Sequence, residues 1–167
     1  FMNFRKGGDF FLKITKNFKN KDNINFIVLG HSTYKREEFD KNIHYLNFKD
    51  DQKKLRDLYN SVDLVFCLSR YENIPYSMIE SMSCGTPNIS TNVGGINEII
   101  LHKKSGWLLK NKNIRNIKKS IYWCLNKKNH HKLSKNSVTQ VKQNFSYVKI
   151  LNDYDKLNKD INKDATN

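Results

Sequence analysis

Apolar positions along the chain follow two spacings, one typical of helices and one typical of buried strands. Within residues 8–18, large apolar side chains recur every three or four positions, which predicts a helix. Residues 64–68 are instead apolar throughout, as in a strand that is buried on both faces. The same patterns predict strands at 24–29, 43–46, 63–68, 87–92 and 106–109, and helices at 8–18, 53–62, 76–83, 114–125, 130–144 and 147–161.

The order of these elements indicates the fold class. Strands that alternate with helices through short connections predict an α/β fold, in which a doubly wound, mainly parallel sheet is covered by helices on both faces. Ligands of such sheets bind beyond the carboxyl ends of the strands. The chain ends in two successive helices, and the apolar stripe along 147–161 predicts a partner surface outside this chain.

Length and composition limit what the chain can do by itself. Its 167 residues and 19.8 kDa suit one domain, so an active site formed between two domains would be incomplete. The chain begins at Phe1 without a recognisable leader, and we expect it to be a fragment. No apolar run approaches the ~18 residues of a membrane span. Three cysteines, far apart in apolar stretches, favour a reducing cytosol over a disulfide framework or a thiolate metal site.

The net charge of +14 is compatible with nucleic-acid binding, but the composition of the basic residues weakens this interpretation. The basic residues are 25 Lys and only five Arg, and Asn is also abundant, which is the bias expected of AT-rich coding. Base readout and bidentate phosphate recognition depend mostly on Arg. Nucleic acid is therefore not the favoured partner, whereas an anionic small molecule or an anionic membrane surface is compatible with the charge.

Two glutamates eight positions apart carry the most informative chemistry. Glu72 lies in the loop that leaves the buried strand, and Glu80 lies on the next predicted helix, about 6 Å along the axis from Tyr76. Unpaired N–H groups around Tyr76 to Met78, with the positive end of the helix dipole, form an anion site. A diphosphate bound there would place a ribose near Glu80 and a sugar near Glu72, because carboxylates accept two hydrogen bonds from a vicinal diol. On the spacing alone, two glutamates that merely favour a helix start and a solvated face are the simpler interpretation.

The wider stretch separates these two interpretations. Residues 72–87 read ENIPYSMIESMSCGTP, which closely resembles the E-x7-E motif and following helix of glycosyltransferase family 4 (group 1), the retaining enzymes of GT-B fold. The resemblance extends, in the family's order, to residues 5–8, 27–30, 55–65, 92–100 and 105–109. It therefore covers nearly the whole chain.

That resemblance implies a domain organisation. Residues 1–144 would form the C-terminal, nucleotide-sugar-binding domain, which is Rossmann-like, with its first strand truncated. Residues 145–167 would form the helix and tail that cross back to the N-terminal acceptor domain, which this chain lacks.

The resemblance also implies roles for individual residues. Glu72 would hold hydroxyls of the donor hexose and steady charge at the reacting centre, as the catalytic residue, and Glu80 would hold the ribose. Lys6 would neutralise the diphosphate. Arg5 either replaces an arginine that many members carry before this lysine or is merely a solvated side chain.

Donor binding would also involve the segment between the two glutamates. Pro75 stands where many members have glycine, so the N–H groups of Tyr76 and Ser77 would carry more of the phosphate binding. Ile74 joins the donor-binding set. Asn73 either reaches a sugar hydroxyl or caps the helix, and we expect capping.

Other candidates have simpler interpretations. His31 follows a strand end near the expected cleft, but an exposed loop histidine is the simpler interpretation. The pair at 130–131 lies in a Lys/Asn-rich linker and needs no role, and Gly94-Gly95 is interpreted as a turn near the donor. No clustered metal-ligand motif occurs, so we expect neither a metal nor another cofactor.

The leading hypothesis is transfer of a hexose, with retention, from a nucleotide diphosphate sugar to a glycan or lipid-linked acceptor, as in polysaccharide biosynthesis. The fragment alone would bind donor without transferring it. A nucleotide-sugar epimerase of the same fold and a basic module for nucleic acid or membrane are the alternatives. We expect a cytoplasmic location, with peripheral contact at the inner membrane face. The base, sugar and acceptor depend on the absent domain and on loops around Asn47, Phe48, Ser69 and Gly94.

Overall fold

Five parallel strands and seven helices make up the part of the chain that the computed structural model describes, which is residues 4–18, 22–30, 42–46 and 51–164. The strands are β1 (Phe26–Leu29), β2 (Ile43–Leu46), β3 (Val65–Cys67), β4 (Asn88–Thr91) and β5 (Gly106–Leu109). The helices are α1 (Gly8–Thr15), α2 (Gln52–Ser61), α3 (Tyr76–Ser83), α4 (Ile96–Ile99), α5 (Ile114–Leu125), α6 (Lys127–Asn144) and α7 (Tyr147–Asp164).

All strand pairs in these residues are parallel, as the alternation of strands and helices predicts. β1 pairs with β2, and β3, β4 and β5 follow one another in chain order, with Phe66 opposite Ile89 and Ile89 opposite Trp107. Parallel neighbours require a crossover, and α3 provides it between β3 and β4. The α/β fold class is therefore confirmed.

Helices pack on both faces of β3–β5. Ile89 faces a core built with α1 and α5, whereas Cys67 faces a second core built with α3 and α4. The first core contains Phe10, Phe11, Ile14, Phe18, Phe26, Val28, Leu68, Ile89, Trp107, Leu109, Ile117, Ile121, Cys124 and Leu133. The second contains Cys67, Met78, Met82, Ile96, Ile99, Ile100 and Val141. This arrangement explains why the residues of β3 are apolar on both faces.

Helix α3 is bounded by the two residues that the sequence pattern indicates. Pro75 is its N-cap residue, with an extended backbone that suits the residue before a helix. Past its end, Gly85 adopts a φ of 80°, and the Gly85 and Thr86 amides bond back to the carbonyls of Met82 and Ser81. This is a Schellman ending, which glycine favours because it tolerates positive φ. One loop separates the carboxyl end of β3 from the start of α3.

The structure corrects two sequence-based expectations. Helix α4 is not predicted, because four residues after a Gly-Gly turn show no measurable period. Helix α6 begins at Lys127 rather than residue 130, since the Asn126 side chain accepts a hydrogen bond from the Asn129 amide. His130 and His131 therefore lie in a helix and not in a linker, and the His130 Nε2 atom is 2.9 Å from the Asp63 carbonyl oxygen.

Helix α7 presents its apolar side chains to solvent. They are Tyr147, Val148, Ile150, Leu151, Tyr154, Leu157 and Ile161. α7 is amphipathic, as predicted, and nothing in the described residues covers this face. Among those residues, no helix has the length and hydropathy that crossing a bilayer requires.

Candidate functional site

The segment before α1 lies against the loop that leaves β3. Gly7 has a φ of 74°, and a Cβ on it would come within 2.2 Å of the Leu68 carbonyl oxygen. The Arg70 amide donates to the Arg5 carbonyl oxygen at 2.8 Å. Only glycine allows this approach, which brings Arg5 and Lys6 to the carboxyl end of β3.

The Arg70 side chain links the loop that leaves β3 to the segment at the start of α1. Its guanidinium donates to both carboxylate oxygens of Asp9, each at 2.8 Å, and to the Phe4 carbonyl oxygen at 2.5 Å. The hydrogen bonds and charge of Arg70 lower the pKa of Asp9. Fork-to-fork pairing of this kind fixes geometry as well as adding energy. Sequence reasoning missed this clamp, because its partners lie 61 residues apart and no local pattern links them.

Glu72 is held by three side chains. The Lys6 Nζ and Ser69 Oγ atoms donate to its Oε2 atom at 2.5 and 3.2 Å, and the Arg5 Nη1 atom lies 3.4 Å from both carboxylate oxygens. The Glu72 side chain is 12% exposed. Burial alone would raise its pKa, but the hydrogen bond and charge of Lys6, with help from Ser69 and Arg5, outweigh burial and lower the pKa. Glu72 is therefore an anion fixed at the end of β3.

The backbone of Glu72 is also fixed from the opposite side. Gly94 has a φ of 54°, and a Cβ there would lie 1.7 Å from the Glu72 carbonyl oxygen. The Gly95 amide donates to the Asn73 carbonyl oxygen at 3.0 Å. The Gly94-Gly95 turn is thus confirmed, and it supports the loop that carries Glu72.

The first turn of α3 offers two free donors. Within the part of the chain that the structure describes, the amides of Tyr76 and Ser77 have no hydrogen-bond acceptor, whereas the Met78 amide donates to the Pro75 carbonyl oxygen. The Asn73 side chain makes no hydrogen bond to this turn, so the expected capping is wrong. Asn73 lies two residues before the N-cap, and its own carbonyl is committed to Gly95.

Glu80 lies one turn further along α3, on the side that faces α2. Its carboxylate is half-buried and accepts a hydrogen bond from the Tyr59 hydroxyl at 3.2 Å. The structure therefore gathers Arg5, Lys6 and Glu72 in one cluster. Glu80 lies on the adjoining helix, beyond the free amides.

The remaining sequence candidates contribute little to this site. Ile74 is half-buried and packs on the α3/α4 core. His31, Asn47 and Phe48 lie outside the described residues. Within 4–18, 22–30, 42–46 and 51–164, no group of three or more His, Cys, Asp or Glu side chains could hold a metal ion.

Comparison with known proteins now identifies the family. The family model described as glycosyl transferases group 1 matches residues 2–140. The chain belongs to the group 1 glycosyltransferases. The resemblance stated from the 72–87 motif is therefore confirmed.

Individual members of the family match parts of the chain. N-acetyl-alpha-D-glucosaminyl L-malate synthase of Bacillus anthracis is 28% identical over 131 residues, which are 76% of this chain and 34% of that enzyme. D-inositol 3-phosphate glycosyltransferase of Jonesia denitrificans is 39% identical over 59 residues, which are 35% of this chain and 14% of that enzyme. The chain thus spans about a third or less of these curated relatives.

Solved structures of GT-B glycosyltransferases share the fold. The C-terminal domain of a group 1 glycosyl transferase from Francisella tularensis matches with a TM-score of 0.75 and 22% identity, covering 87% of this chain and 82% of that one. Anabaena HepE, crystallised with UDP-glucose, matches with a TM-score of 0.78 and 17% identity, covering 95% of this chain and 46% of that one. At these identities the likeness concerns the fold.

Proposed function

We propose that this chain is the donor-binding half of a retaining glycosyltransferase that moves a hexose from a nucleotide diphosphate sugar to a glycan or lipid-linked acceptor. One observation carries the proposal. A carboxylate, Glu72, is fixed at the end of β3 by two cations, just before a helix whose first two amides have no acceptor among the described residues. The UDP-glucose complex of HepE, which shares the fold, supports a nucleotide sugar as the ligand class.

The start of α3 binds the diphosphate. The Tyr76 and Ser77 amides are free to donate to phosphate oxygens, and the helix dipole favours negative charge at this position. Lys6 and Arg5, which form ion pairs with Glu72, add positive charge beside the phosphates. Because the leaving group of the reaction is a nucleotide diphosphate, the same donors stabilise the charge that develops on it.

Glu72 acts on the sugar. Among the described residues, Lys6 and Ser69 donate to its Oε2 atom, and its Oε1 atom has only the long contact with Arg5. Oε1 is therefore available to hydroxyls of the hexose. A fixed anion near the anomeric carbon also stabilises the positive charge that develops as the bond to the diphosphate breaks. Glu80, on the adjoining helix, receives the ribose hydroxyls.

The acceptor and the opposite wall of the cleft come from a domain outside this chain. We propose that the exposed apolar face of α7 packs on that domain, because about seven apolar side chains on one helix face favour burial. The chain alone then binds donor but does not transfer the sugar. The cytoplasmic location, and contact of the Lys-rich surface with an anionic membrane near a lipid acceptor, belong to the same proposal.

Calorimetric titration of UDP-glucose tests this function. The 167-residue chain is expected to bind, Glu80→Ala to bind more weakly, and the exposed control Asp153→Ala to bind like the unaltered chain. Binding is expected to persist in EDTA, because the phosphate charge is met by side chains and amides. Equal affinity in the unaltered chain and Glu80→Ala would remove the ribose role, and absence of binding to any nucleotide sugar would remove the function.

Two alternatives predict different results. An epimerase of the same fold would interconvert nucleotide sugars without an acceptor, which product analysis of the full-length protein detects. The curated relatives reported above are instead named as a synthase and a glycosyltransferase, which favours transfer. A basic nucleic-acid or membrane module would show affinity that falls steeply with salt and no response to nucleotide sugars.

A further inference from the structure

The hydroxyl of Tyr59 points from α2 towards the carboxylate of Glu80. Tyr59 is 7% exposed, and its hydroxyl donates to the Glu80 Oε2 atom at 3.2 Å. A buried hydroxyl without a partner is costly, so this hydrogen bond keeps the two side chains together. Within the described residues, the Glu80 side chain makes this one hydrogen bond.

Tyr59 is itself anchored to the helix that carries Glu80. The Thr86 hydroxyl donates to the Tyr59 carbonyl oxygen at 2.5 Å, and the Thr86 amide donates to the Ser81 carbonyl oxygen at 2.9 Å. Both Thr86 and Tyr59 are buried. The phenol therefore approaches Glu80 from a fixed position, and it restricts the rotamers that the carboxylate can adopt.

The direction of this hydrogen bond is fixed by its surroundings. Burial, followed by the negative charge of Glu80, raises the pKa of Tyr59, so the phenol stays protonated and donates. Cys84 is the other titratable group that acts on this phenol. Glu80 can then only accept, and its Oε1 atom and the second lone pair of Oε2 are left for a ligand that donates.

We propose that Tyr59 is a positioning residue, which holds the Glu80 carboxylate in the orientation that receives the ribose hydroxyls of the donor nucleotide. The inference rests on the proposed function, because it assigns a partner to the ribose-binding carboxylate. It predicts that Tyr59 affects recognition of the two ribose hydroxyls and not of the diphosphate or the base.

Tyr59→Phe tests this assignment, because it removes the hydroxyl and keeps the buried ring. UDP and GDP are titrated into the chain beside their 2′,3′-dideoxy forms, which lack the ribose hydroxyls. We expect the better-bound nucleotide to lose about 3- to 10-fold in affinity, as for the loss of one typical hydrogen bond, while its dideoxy form is bound as before. In a Glu80→Gln background the same substitution should have a smaller effect, since its target has changed.

Tyr122→Phe is the matched control. The Tyr122 hydroxyl also donates to a carboxylate, the Oδ1 atom of Asp22 at 3.1 Å, but Tyr122 is exposed and lies on α5. Loss of the Tyr122 hydroxyl should leave the affinity for each nucleotide and for its dideoxy form unchanged. Urea unfolding of both variants measures stability separately from binding.

The outcomes separate this inference from the proposed function. A Tyr59→Phe variant whose preference for ribose over dideoxyribose is as large as that of the unaltered chain overturns the positioning role, even if the variant is less stable. Equal weakening of ribose and dideoxy nucleotides also overturns it, since that indicates a structural role. If the unaltered chain binds neither UDP nor GDP, both the inference and the proposed function fail.

Discussion

Gly94→Ala is the substitution for which the structure predicts the largest local effect. The residue has a φ of 54°, a conformation that costs an L-residue roughly 1–2 kcal/mol. Its new Cβ would also lie 1.7 Å from the Glu72 carbonyl oxygen, which is backbone and cannot rotate away. Overpacking of this kind typically adds about 1–3 kcal/mol. The loop that holds Glu72 must therefore move.

Gly85→Ala provides the matched comparison. Gly85 also has a positive φ, of 80°, but a Cβ there would meet the Ser134 hydroxyl at 3.0 Å, which can rotate, and the Val138 Cγ2 atom at 3.7 Å, an ordinary van der Waals contact. Because both changes are Gly to Ala, their effects on the unfolded chain are similar and cancel in the comparison. Gly94→Ala should therefore be less stable than Gly85→Ala by about 1–3 kcal/mol, the overpacking cost alone.

Two measurements check this difference. Urea unfolding gives the two free energies of unfolding, and titration of UDP-glucose gives the affinities. We expect Gly94→Ala to bind UDP-glucose more weakly, because Glu72 is displaced, and Gly85→Ala to bind it normally. If the two variants were equally stable and bound the donor equally, the argument that Gly94 fixes Glu72 would be refuted.

Three further predictions concern the same site. Ser69→Ala should weaken the binding of UDP-glucose more than that of UDP, because Glu72 loses a hydrogen bond worth about 1 kcal/mol. Equal losses of affinity for the two ligands in a titration would contradict this. Arg70→Lys should lower the free energy of unfolding in urea, since Lys cannot pair with both oxygens of Asp9; an unchanged midpoint would contradict it. The lowered pKa of Glu72 means that its stabilising effect is complete above its ordinary pKa of 4.5 and is lost as pH falls through the folded value. Thermal melts from acid to neutral pH should show this loss, and Glu72→Gln should reduce it.

Sequence periodicity predicted the elements around the site because their signals are local. Pro75 and Gly85 bound α3 through their own backbone preferences, so the helix could be placed within a residue. The strand β3 followed from a short apolar run. The structure shortens it to Val65–Cys67, because hydrogen bonding between strands, not apolar character, ends a strand.

Features that depend on distant pairing were not predictable in this way. The Arg70 clamp joins residues 61 apart, and the support of Glu72 by Gly94 depends on how two loops meet. Asn73 was expected to cap α3 from its residue type, but the loop places it two residues before the N-cap. The ion pair between Lys6 and Glu72 was not predicted either, because its partners lie 66 residues apart.

Backbone amide shifts offer the most direct test of the central claim, that the start of α3 binds the donor diphosphate. In a ¹⁵N-labelled sample of this chain, titration with UDP should shift the amides of Tyr76 and Ser77 most strongly, since neither has an acceptor within the described residues. The same titration of the Tyr122→Phe control should give the same shifts. Saturable binding with unchanged Tyr76 and Ser77 amides, or no binding at all, would contradict the claim.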